Sequence, residues 1–221
     1  MFNRLNNTMQ FHQPINAILN DERKVKLLRF LCRKGGQWSG RRLADELSLN
    51  PVMTHRALRA LHQATILDFR KVGASFVYSL REDHYLVQEL LKPLFAREAA
   101  AKERLRTVLR RGLGKELSAE IVSVALYGSL ARGEERPMSD IDVFILVRSA
   151  KGKPQAQKRM ERVWTDVTRA FGNSVAPYIQ TAHEAQQKSQ QQLAVFQSIL
   201  KDHELLWGQP LKDVLDGRAT S

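Results

Sequence analysis

Two pairs of residues in the middle of the chain have the types and the spacing of a site for a metal-bound phosphate. Gly128 and Ser129 directly follow an apolar run that predicts a buried strand over residues 122–127. A glycine at this point lets a ligand approach the main chain, and the backbone amides of the turn can receive phosphate oxygens. Asp140 and Asp142 open the next apolar run, so their carboxylates leave the same face of a strand about 7 Å apart. This spacing suits one or two Mg²⁺ ions that bridge a triphosphate.

Each pair also has a simpler interpretation when it is taken alone. A Gly-Ser pair after a strand is a common turn, and two acids at the start of a strand are often only solvated. The conjunction of both pairs with two flanking apolar runs favours the nucleotide site. Other sites are disfavoured because the sequence has no GxxxxGK[ST], GxGxxG or GxSxG pattern, and no HExxH or paired histidine spacing for a metal.

The stretch that carries these pairs resembles the signature of a known family. It contains Gly128-Ser129, Ala131-Arg132-Gly133 and Ser139-Asp140-Ile141-Asp142, and it is similar to the motif of the minimal nucleotidyltransferases, relatives of the DNA polymerase β superfamily. The resemblance covers about residues 98–211. It implies that Gly128, Ser129 and Ser139 hold the phosphates of a nucleoside triphosphate, with ATP as the expected one. It also implies that Asp140 and Asp142 bind Mg²⁺ or Mn²⁺ and are the catalytic residues.

Two further residues have alternative roles in such a site. Arg132 would meet the phosphates with a bidentate guanidinium, or it is a surface residue of the helix after the turn. Family members usually carry a third carboxylate on a later strand, but the strand predicted over residues 174–181 contains no acid. Glu184 lies just beyond that strand, where it either reaches into the site or is a helix-start acid favoured by the dipole. The loss of the third carboxylate weakens general-base chemistry more than nucleotide binding.

The composition restricts the class of protein. A chain of 221 residues can bury a proper core, and no run of about 18 apolar residues predicts a transmembrane helix. The first twenty residues are polar, which argues against a secretory signal, and the single cysteine, Cys32, cannot form an internal disulfide. These features predict a cytoplasmic protein without a membrane partner. Of the formal net charge of +12, +8 lies in residues 1–82, and a basic segment attracts nucleic acid through its phosphates.

The basic first third of the chain predicts three helices and a hairpin. Residues 22–33 have an apolar face with helical period, and Ser39 caps a short second helix. Asn50-Pro51 supplies the cap and the first turn of a third helix. Residues 66–72 and 75–80 predict two strands around a turn at Gly73-Ala74. The inward face of the third helix is predicted to consist of Val52, Ala57, Leu58 and Leu61.

This order of elements resembles the winged helix-turn-helix of bacterial transcription regulators over about residues 12–82. The resemblance implies double-stranded DNA as a partner and a homodimer, and the alternative is a module that docks proteins or dimerises without DNA. Side chains near the amino end of the third helix would reach base edges: Thr54, His55 and Arg56. Basic side chains elsewhere would touch phosphates: Arg41, Arg42, Arg59, Arg70 and Lys71. For His55 the alternative is a helix residue with a partner inside the protein.

Together these patterns predict an α+β protein in three parts. Residues 1–82 form the winged helix-turn-helix, residues 83–97 a helical linker divided by Pro93, and residues 98–221 a nucleotidyltransferase-like α/β domain with a mixed central sheet.

Three functions are compatible with this organisation. The first is a DNA-binding transcriptional regulator whose second domain binds a magnesium nucleotide. The second is an enzyme that transfers a nucleoside monophosphate to RNA or to a protein encoded nearby, as related antitoxin-type transferases do. The third is a non-catalytic dimerising scaffold. The intact glycine-serine and aspartate pairs disfavour the scaffold, and the missing strand acid favours the regulator over the enzyme.

Overall fold

The structure, a computed structural model, describes residues 9, 11–73 and 75–216. The chain divides into two compact units, Met1–Ala101 and Lys102–Ser221. Ala74 of the predicted hairpin turn and residues 1–8 of the polar N-terminal stretch lie outside the described residues. Within the described residues, helices and a mixed sheet give the predicted α+β class. No helix of this part of the chain is both long and apolar enough to span a bilayer.

The first unit begins with three helices whose starts follow from their capping residues. Helix α1 spans Glu22–Lys34, α2 spans Gly40–Glu46 and α3 spans Pro51–Gln63. The side chains of Asp21, Ser39 and Asn50 accept hydrogen bonds from backbone N–H groups that the first turn of each helix leaves without a partner. The apolar faces of these helices meet in a core that includes Leu27, Leu28, Leu31, Leu43, Leu58 and Leu61.

The side of α3 that faces the core differs from the predicted one. The buried positions are Thr54, Ala57, Leu58 and Leu61, which have the helical spacing of a single face. Val52 does not belong to this face, and it is 62% exposed. The prediction that Val52 points inward is therefore wrong, and Thr54 takes an interior position instead.

A three-stranded antiparallel sheet completes the first part of this unit. Strands β1 (Trp38–Ser39), β2 (Leu67–Val72) and β3 (Ser75–Leu80) are arranged in the order β1-β3-β2. In the hairpin of β2 and β3, Phe69 pairs with Tyr78 and Lys71 pairs with Phe76. The Phe69 ring lies 5.5 Å from the ring of His62, and the Tyr78 ring lies 6.4 Å from that of His55. This face of the hairpin therefore packs toward α3.

Residues 86–99 belong to the first unit, although residues 83–97 were predicted to be a linker. A π-helical turn over Leu86–Leu91 continues into α4, Lys92–Ala99. Pro93 is the second residue of α4, directly after the π-helical turn, and a proline at such a point removes one backbone donor from the helical run. The guanidinium of Arg29 on α1 donates hydrogen bonds of 2.7 and 2.8 Å to the carboxylate of Glu98. The helical prediction is confirmed, but this segment contributes buried side chains to the first core: Leu86, Val87, Leu91 and Phe95.

The second unit contains a four-stranded mixed sheet. Its strands are β4 (Ile121–Tyr127), β5 (Ile141–Val147), β6 (Val175–Thr181) and β7 (Glu204–Gly208). The order is β6-β5-β4-β7, with β4 antiparallel to both of its neighbours and β5 parallel to β6. Its helices are α5 (Ala101–Leu113), α6 (Gly128–Arg132), α7 (Gly152–Phe171), α8 (Ala182–Gln190), α9 (Ala194–Lys201) and α10 (Leu211–Leu215).

Helices cover both faces of this sheet. Because side chains alternate along a strand, Val143 and Ile145 of β5 point to one face and Phe144 and Leu146 to the other. The first pair packs with α5 and α7 in one core. The second pair packs with α8, α9 and α10 in another. Asp142 shares the face of Phe144, at the end of β5 that is nearest to α6.

Candidate functional site

Antiparallel pairing of β4 and β5 brings the two predicted motifs together. Tyr127, the last residue of β4, pairs with Asp142, the second residue of β5. Gly128 and Ser129 follow Tyr127 directly as the first turn of α6. The glycine-serine pair and Asp142 therefore lie at the same corner of the sheet. The loop of residues 133–140 joins α6 to β5 and ends at Asp140.

Gly128 is in close contact with the Asp142 carboxylate. Its backbone has φ of +70°, in the left-handed region that a residue with a side chain adopts only at a cost. A Cβ atom built at Gly128 would lie 2.1 Å from Asp142 Oδ2 and 3.0 Å from Asp142 Cγ. Only glycine therefore fits here without displacing the carboxylate, and the Asp142 oxygen lies directly against the main chain.

The two carboxylates differ in their environment. Asp140 is exposed, whereas Asp142 is half-buried against the corner. Burial raises the pKa of Asp142 above its usual value, the negative charge of Asp140 raises it further, and the cation of Arg132 opposes this rise. Removal from water and a like charge both disfavour the ionised form. A cation bound between the two carboxylates would relieve both effects.

The other predicted nucleotide-binding residues lie around the same corner. Arg132, at the end of α6, donates a 2.8 Å hydrogen bond from Nε to Glu134. Ser139 is half-buried, and its hydroxyl oxygen accepts a 3.0 Å hydrogen bond from the backbone N–H of Arg136 within the loop. Ser129 is half-buried, and its carbonyl accepts the backbone N–H of Glu134 at 2.9 Å. Arg132 therefore has an acidic partner, and Ser139 stabilises the loop that precedes Asp140.

Strand β6 carries no carboxylate beside Asp142. Ala176 is the residue of β6 that pairs with Asp142 in the parallel register. Glu184 lies at the opposite end of this strand. There it forms a capping box with Thr181 and accepts hydrogen bonds of 2.8 and 2.9 Å from Lys153. Since Thr181 is five residues beyond Ala176, about 16 Å along the strand, Glu184 belongs to the start of α8 and not to the corner.

Two residues near the corner were missed at the level of sequence. Tyr127 is half-buried, and burial followed by the charge of Asp142 raises its pKa to about 12, so the hydroxyl stays protonated beside the carboxylate. Asp202 follows α9 and lies close enough to contribute to the raised pKa of Arg132, after the larger effect of Glu134. The signal for Tyr127 was its position next to Gly128. Pairing of β7 with the end of β4 brings Asp202 near the corner.

The donor set fits a hard divalent cation. Mg²⁺ prefers carboxylate and phosphate oxygens and keeps several water ligands, so it needs only one or two protein carboxylates. Asp140 and Asp142 provide these oxygens, and the absence of a Cβ at Gly128 leaves room for Asp142 Oδ2 against the main chain. No cluster of three or more His, Cys, Asp or Glu side chains arranged for a metal occurs in the described ranges. The remaining ligands would therefore be phosphate oxygens and water.

A comparison with protein families gives a match over the same region. Residues 106–203 match the family model of the nucleotidyltransferase domain. This segment contains the whole corner. Among solved structures, the chain is similar to one described as the crystal structure of a toxin-antitoxin with AMP-PNP. That similarity has 14% sequence identity and a TM-score of 0.33, and it covers 51% of this chain and 82% of the other. No curated protein matches the chain.

The residues predicted to bind DNA occupy three parts of the first unit. His55, Arg56 and Arg59 are exposed on α3, where the spacing of three and four residues places them on one side of the helix. Thr54 is different: its side chain is fully buried, and its hydroxyl has no hydrogen-bond partner in the described part of the chain. The prediction that Thr54 reaches a base edge is corrected, because the side chain faces the core.

The remaining basic residues of this set do not all share a surface. Arg41 and Arg42 are exposed on α2, and the Arg42 guanidinium lies 4.6 Å from the centre of the Trp38 ring. Arg70 and Lys71 are exposed on β2, but as neighbours in a strand they point to opposite faces of the hairpin. Lys71 pairs with Phe76 on the face that packs toward α3. Lys71 therefore lies on the face of the hairpin toward α3, and Arg70 lies on the opposite face.

Proposed function

We propose that the second unit binds a nucleoside triphosphate together with Mg²⁺ or Mn²⁺ at the corner formed by Gly128 and Asp142. One observation carries the proposal: a carboxylate oxygen lies against a glycine main chain that cannot hold a Cβ, within the segment that matches the nucleotidyltransferase domain. A glycine lets another group come close to the main chain, and at Gly128 that group is the Asp142 carboxylate. ATP is the nucleotide we expect.

Each residue of the corner has a role in this binding. Asp140 and Asp142 would hold the cation, and the backbone of Gly128 and Ser129 would lie along the phosphates. Arg132 would exchange its bond to Glu134 for a phosphate oxygen, since a guanidinium pairs with phosphate at least as well as with carboxylate. Tyr127, kept protonated by its surroundings, would donate its hydroxyl proton to an oxygen of the bound group.

The test of binding is calorimetry with MgATP on the full chain. Asp142→Asn keeps the shape of the side chain and removes its charge, so we expect at least a tenfold weaker Kd, about 1.4 kcal/mol. The matched control is Glu135→Gln, which removes one charge from an exposed position in the adjacent loop. Equal MgATP affinity for wild type and Asp142→Asn would contradict the proposed nucleotide site.

Nucleotidyl transfer is a second candidate function, and the family match favours it. In that reaction an acceptor hydroxyl oxygen would bond to the α-phosphorus, the bond from that phosphorus to the pyrophosphate oxygen would break, and the hydroxyl proton would pass to solvent or to a carboxylate. A bound cation would polarise the α-phosphate and neutralise charge on the departing pyrophosphate. The lack of an acid at Ala176 disfavours efficient transfer, because no general base is provided there.

Labelled nucleotides distinguish transfer from binding. The full chain would be incubated with each α-labelled nucleoside triphosphate and Mg²⁺, with RNA, and with the product of the neighbouring gene. Label that moves to protein or RNA in wild type, but not in Asp142→Asn, would show transfer. Binding in calorimetry without any label transfer would leave the protein a nucleotide-binding one.

We further propose that the first unit binds double-stranded DNA as a winged helix-turn-helix, which makes the protein a nucleotide-binding transcriptional regulator. The support is the order of three capped helices and a hairpin, with exposed His55, Arg56 and Arg59 on α3 and Lys71 on the hairpin face toward α3. Such a helix presents its outward residues to the major groove, and the hairpin lies beside it. A homodimer is the assembly we expect, and sedimentation measures it directly.

A gel-shift titration against the DNA upstream of the gene tests this proposal. Arg56→Ala and Arg59→Ala should each weaken binding and decrease the magnitude of the negative slope of log K against log salt by about one. Arg97→Ala is the control, because Arg97 is exposed on α4 of the same unit, a helix that packs on α1 and on the π-helical turn. Absence of binding by the wild type at low salt would overturn the regulator.

A further inference from the structure

A basic surface on the second unit is separate from the nucleotide corner. Two adjacent depressions lie along α5 and α7, and Lys115 lines one while its neighbour Glu116 lines the other. Seven cationic side chains surround them: Arg106, Arg110, Arg111, Lys115, Lys158, Arg159 and Arg162. We call these seven residues the α5–α7 surface. It belongs to the helical layer on one face of the sheet, whereas Asp142 points to the other face.

The charges of this surface are only partly neutralised. Three of the seven cations have an acidic neighbour: Arg106 pairs with Glu103, Arg111 with Asp166 and Arg159 with Glu116. The Arg111 pair is long, at 4.0 Å, and the Arg111 side chain is 68% exposed. The other four have no carboxylate within ion-pair distance in the ranges that the structure describes: Arg110, Lys115, Lys158 and Arg162. The surface therefore keeps a clear excess of positive charge.

We infer that the α5–α7 surface binds the phosphodiester backbone of a nucleic acid. Five of its seven cations are arginines, whose planar forks donate two hydrogen bonds to a phosphate. Arg106 and Arg110 are four residues apart on α5, and Lys158 and Arg162 are four residues apart on α7. The two Cβ atoms of each pair are therefore about 6 Å apart, on the same side of the helix. Two such rows offer several contacts to one strand.

The character of the surface disfavours a protein partner. Protein interfaces have an apolar centre with aromatic anchors inside a polar rim. None of the large hydrophobic side chains that are exposed in the described residues lines either depression. The non-basic lining consists of small or polar side chains and Leu117, which is buried. A backbone contact that is independent of base sequence fits this composition.

Salt dependence of binding tests the inference on the full chain. The variant Arg110→Gln/Lys158→Gln/Arg162→Gln removes three exposed cations from the surface. The slope of log K against log salt is negative, and each lost contact decreases its magnitude by roughly 0.9 for duplex DNA and roughly 0.7 for a single strand. For the triple variant we expect the magnitude of this slope to decrease by roughly 2.7 with a DNA duplex or roughly 2.1 with single-stranded RNA of the same length. The two probes, used in parallel, identify which nucleic acid the surface takes.

Matched controls separate this surface from the rest of the protein. Arg104→Gln/Lys201→Gln/Lys212→Gln removes the same charge from exposed positions of the second unit that line neither depression. Both triple variants would also be made in an Arg56→Ala/Arg59→Ala background, in which contacts of the first unit are weakened. The decrease should appear in both backgrounds, only for the α5–α7 triple variant, and with unchanged thermal unfolding.

Three results would overturn the inference. One is an unchanged slope and Kd for both nucleic acids. Another is an equal decrease in the control triple variant, which would show a general charge effect. The third is a loss of poly-glutamate binding without any loss of nucleic-acid binding, which would assign the surface to an acidic protein. None of these outcomes depends on the nucleotide corner, because MgATP affinity is measured separately.

Discussion

Substitution of Gly128 by alanine is the sharpest test of the corner. The new Cβ would lie 2.1 Å from Asp142 Oδ2, so the carboxylate must retreat by more than 1 Å to reach an ordinary contact of 3.4 Å. The backbone of Asp142 is held in β5 by its pairing with Tyr127 and Ala176. The side chain therefore has to rotate away from its position against the main chain, and the oxygen proposed to hold the cation is displaced.

Gly133 provides a matched control for the backbone part of this effect. Its φ of +68° is close to the +70° of Gly128, but a Cβ built there meets nothing within 4 Å. Left-handed backbone costs a residue with a side chain about 1–2 kcal/mol, and this cost applies to both substitutions. Displacement of the Asp142 side chain adds about 0.5–1.5 kcal/mol for Gly128→Ala alone. We expect Gly128→Ala to be the less stable variant by roughly 1 kcal/mol.

The assay combines urea unfolding with calorimetry. In a Trp38→Phe background the two remaining tryptophans, Trp164 and Trp207, both report on the second unit. Gly128→Ala should also bind MgATP at least tenfold more weakly than wild type, whereas Gly133→Ala should stay within about twofold.

A double-mutant cycle tests the cause of this difference. Asp142→Ala removes the carboxylate that the new Cβ would meet, so Gly128→Ala should cost less stability in the Asp142→Ala background. The coupling energy should be about 1 kcal/mol. Equal stability loss in Gly128→Ala and Gly133→Ala, together with a coupling energy below about 0.3 kcal/mol, would refute the reasoning.

Three further predictions concern residues outside the contact of Gly128 with Asp142. Thr54→Val should leave DNA affinity unchanged and stabilise the first unit by about 1 kcal/mol in urea unfolding, because the buried hydroxyl has no partner among the described residues. Asp21→Ala should cost about 1 kcal/mol near neutral pH through loss of the α1 cap. The hydrogen bond from the Arg23 side chain lowers the pKa of Asp21 from 3.8 to about 2, so this difference should be constant above about pH 5 and shrink as the pH falls from there toward 2. Glu184→Ala should cost about 1 kcal/mol by loss of the α8 capping box and leave MgATP affinity unchanged, and weaker MgATP binding would return Glu184 to the site.

Local signals in the sequence were sufficient for most elements. Ser39 and the Asn50-Pro51 pair mark the starts of α2 and α3 because their side chains satisfy backbone donors close to them in the chain. The apolar runs that flank the two motifs gave β4 and β5 within a residue or two. Helix α6 and the loop of residues 133–140 return the chain antiparallel to β4, which is the reason that Gly128 meets Asp142.

Features that depend on distant packing were not predictable in this way. Residues 86–99 have strong helical character alone, but only the core of α1–α3 makes them part of the first unit. Asp202 comes near Arg132 because β7 pairs with β4, a contact between residues almost 80 positions apart. Thr54 is an exception, because its spacing from Ala57, Leu58 and Leu61 was present in the sequence. Its polar type led to an outward prediction, although a threonine can occupy a buried face.

The pairing of β5 with β6 places no acid beside Asp142, and this affects transfer more than nucleotide binding. Ala176 is the β6 residue beside Asp142, and its methyl group cannot accept a proton. Glu184 is held by Lys153 and Thr181 at the far end of the strand. Of the acids that raise the pKa of Arg132, Glu134 is bound to its guanidinium, whereas Asp202 lies on the β7 side. The proposed binding would use the oxygens of Asp140 and Asp142, whereas general-base assistance to transfer would have to come from Asp202 or from solvent. The proposed nucleotide binding therefore does not depend on an acid in β6, and label transfer that persists in Asp202→Asn would assign the proton to solvent.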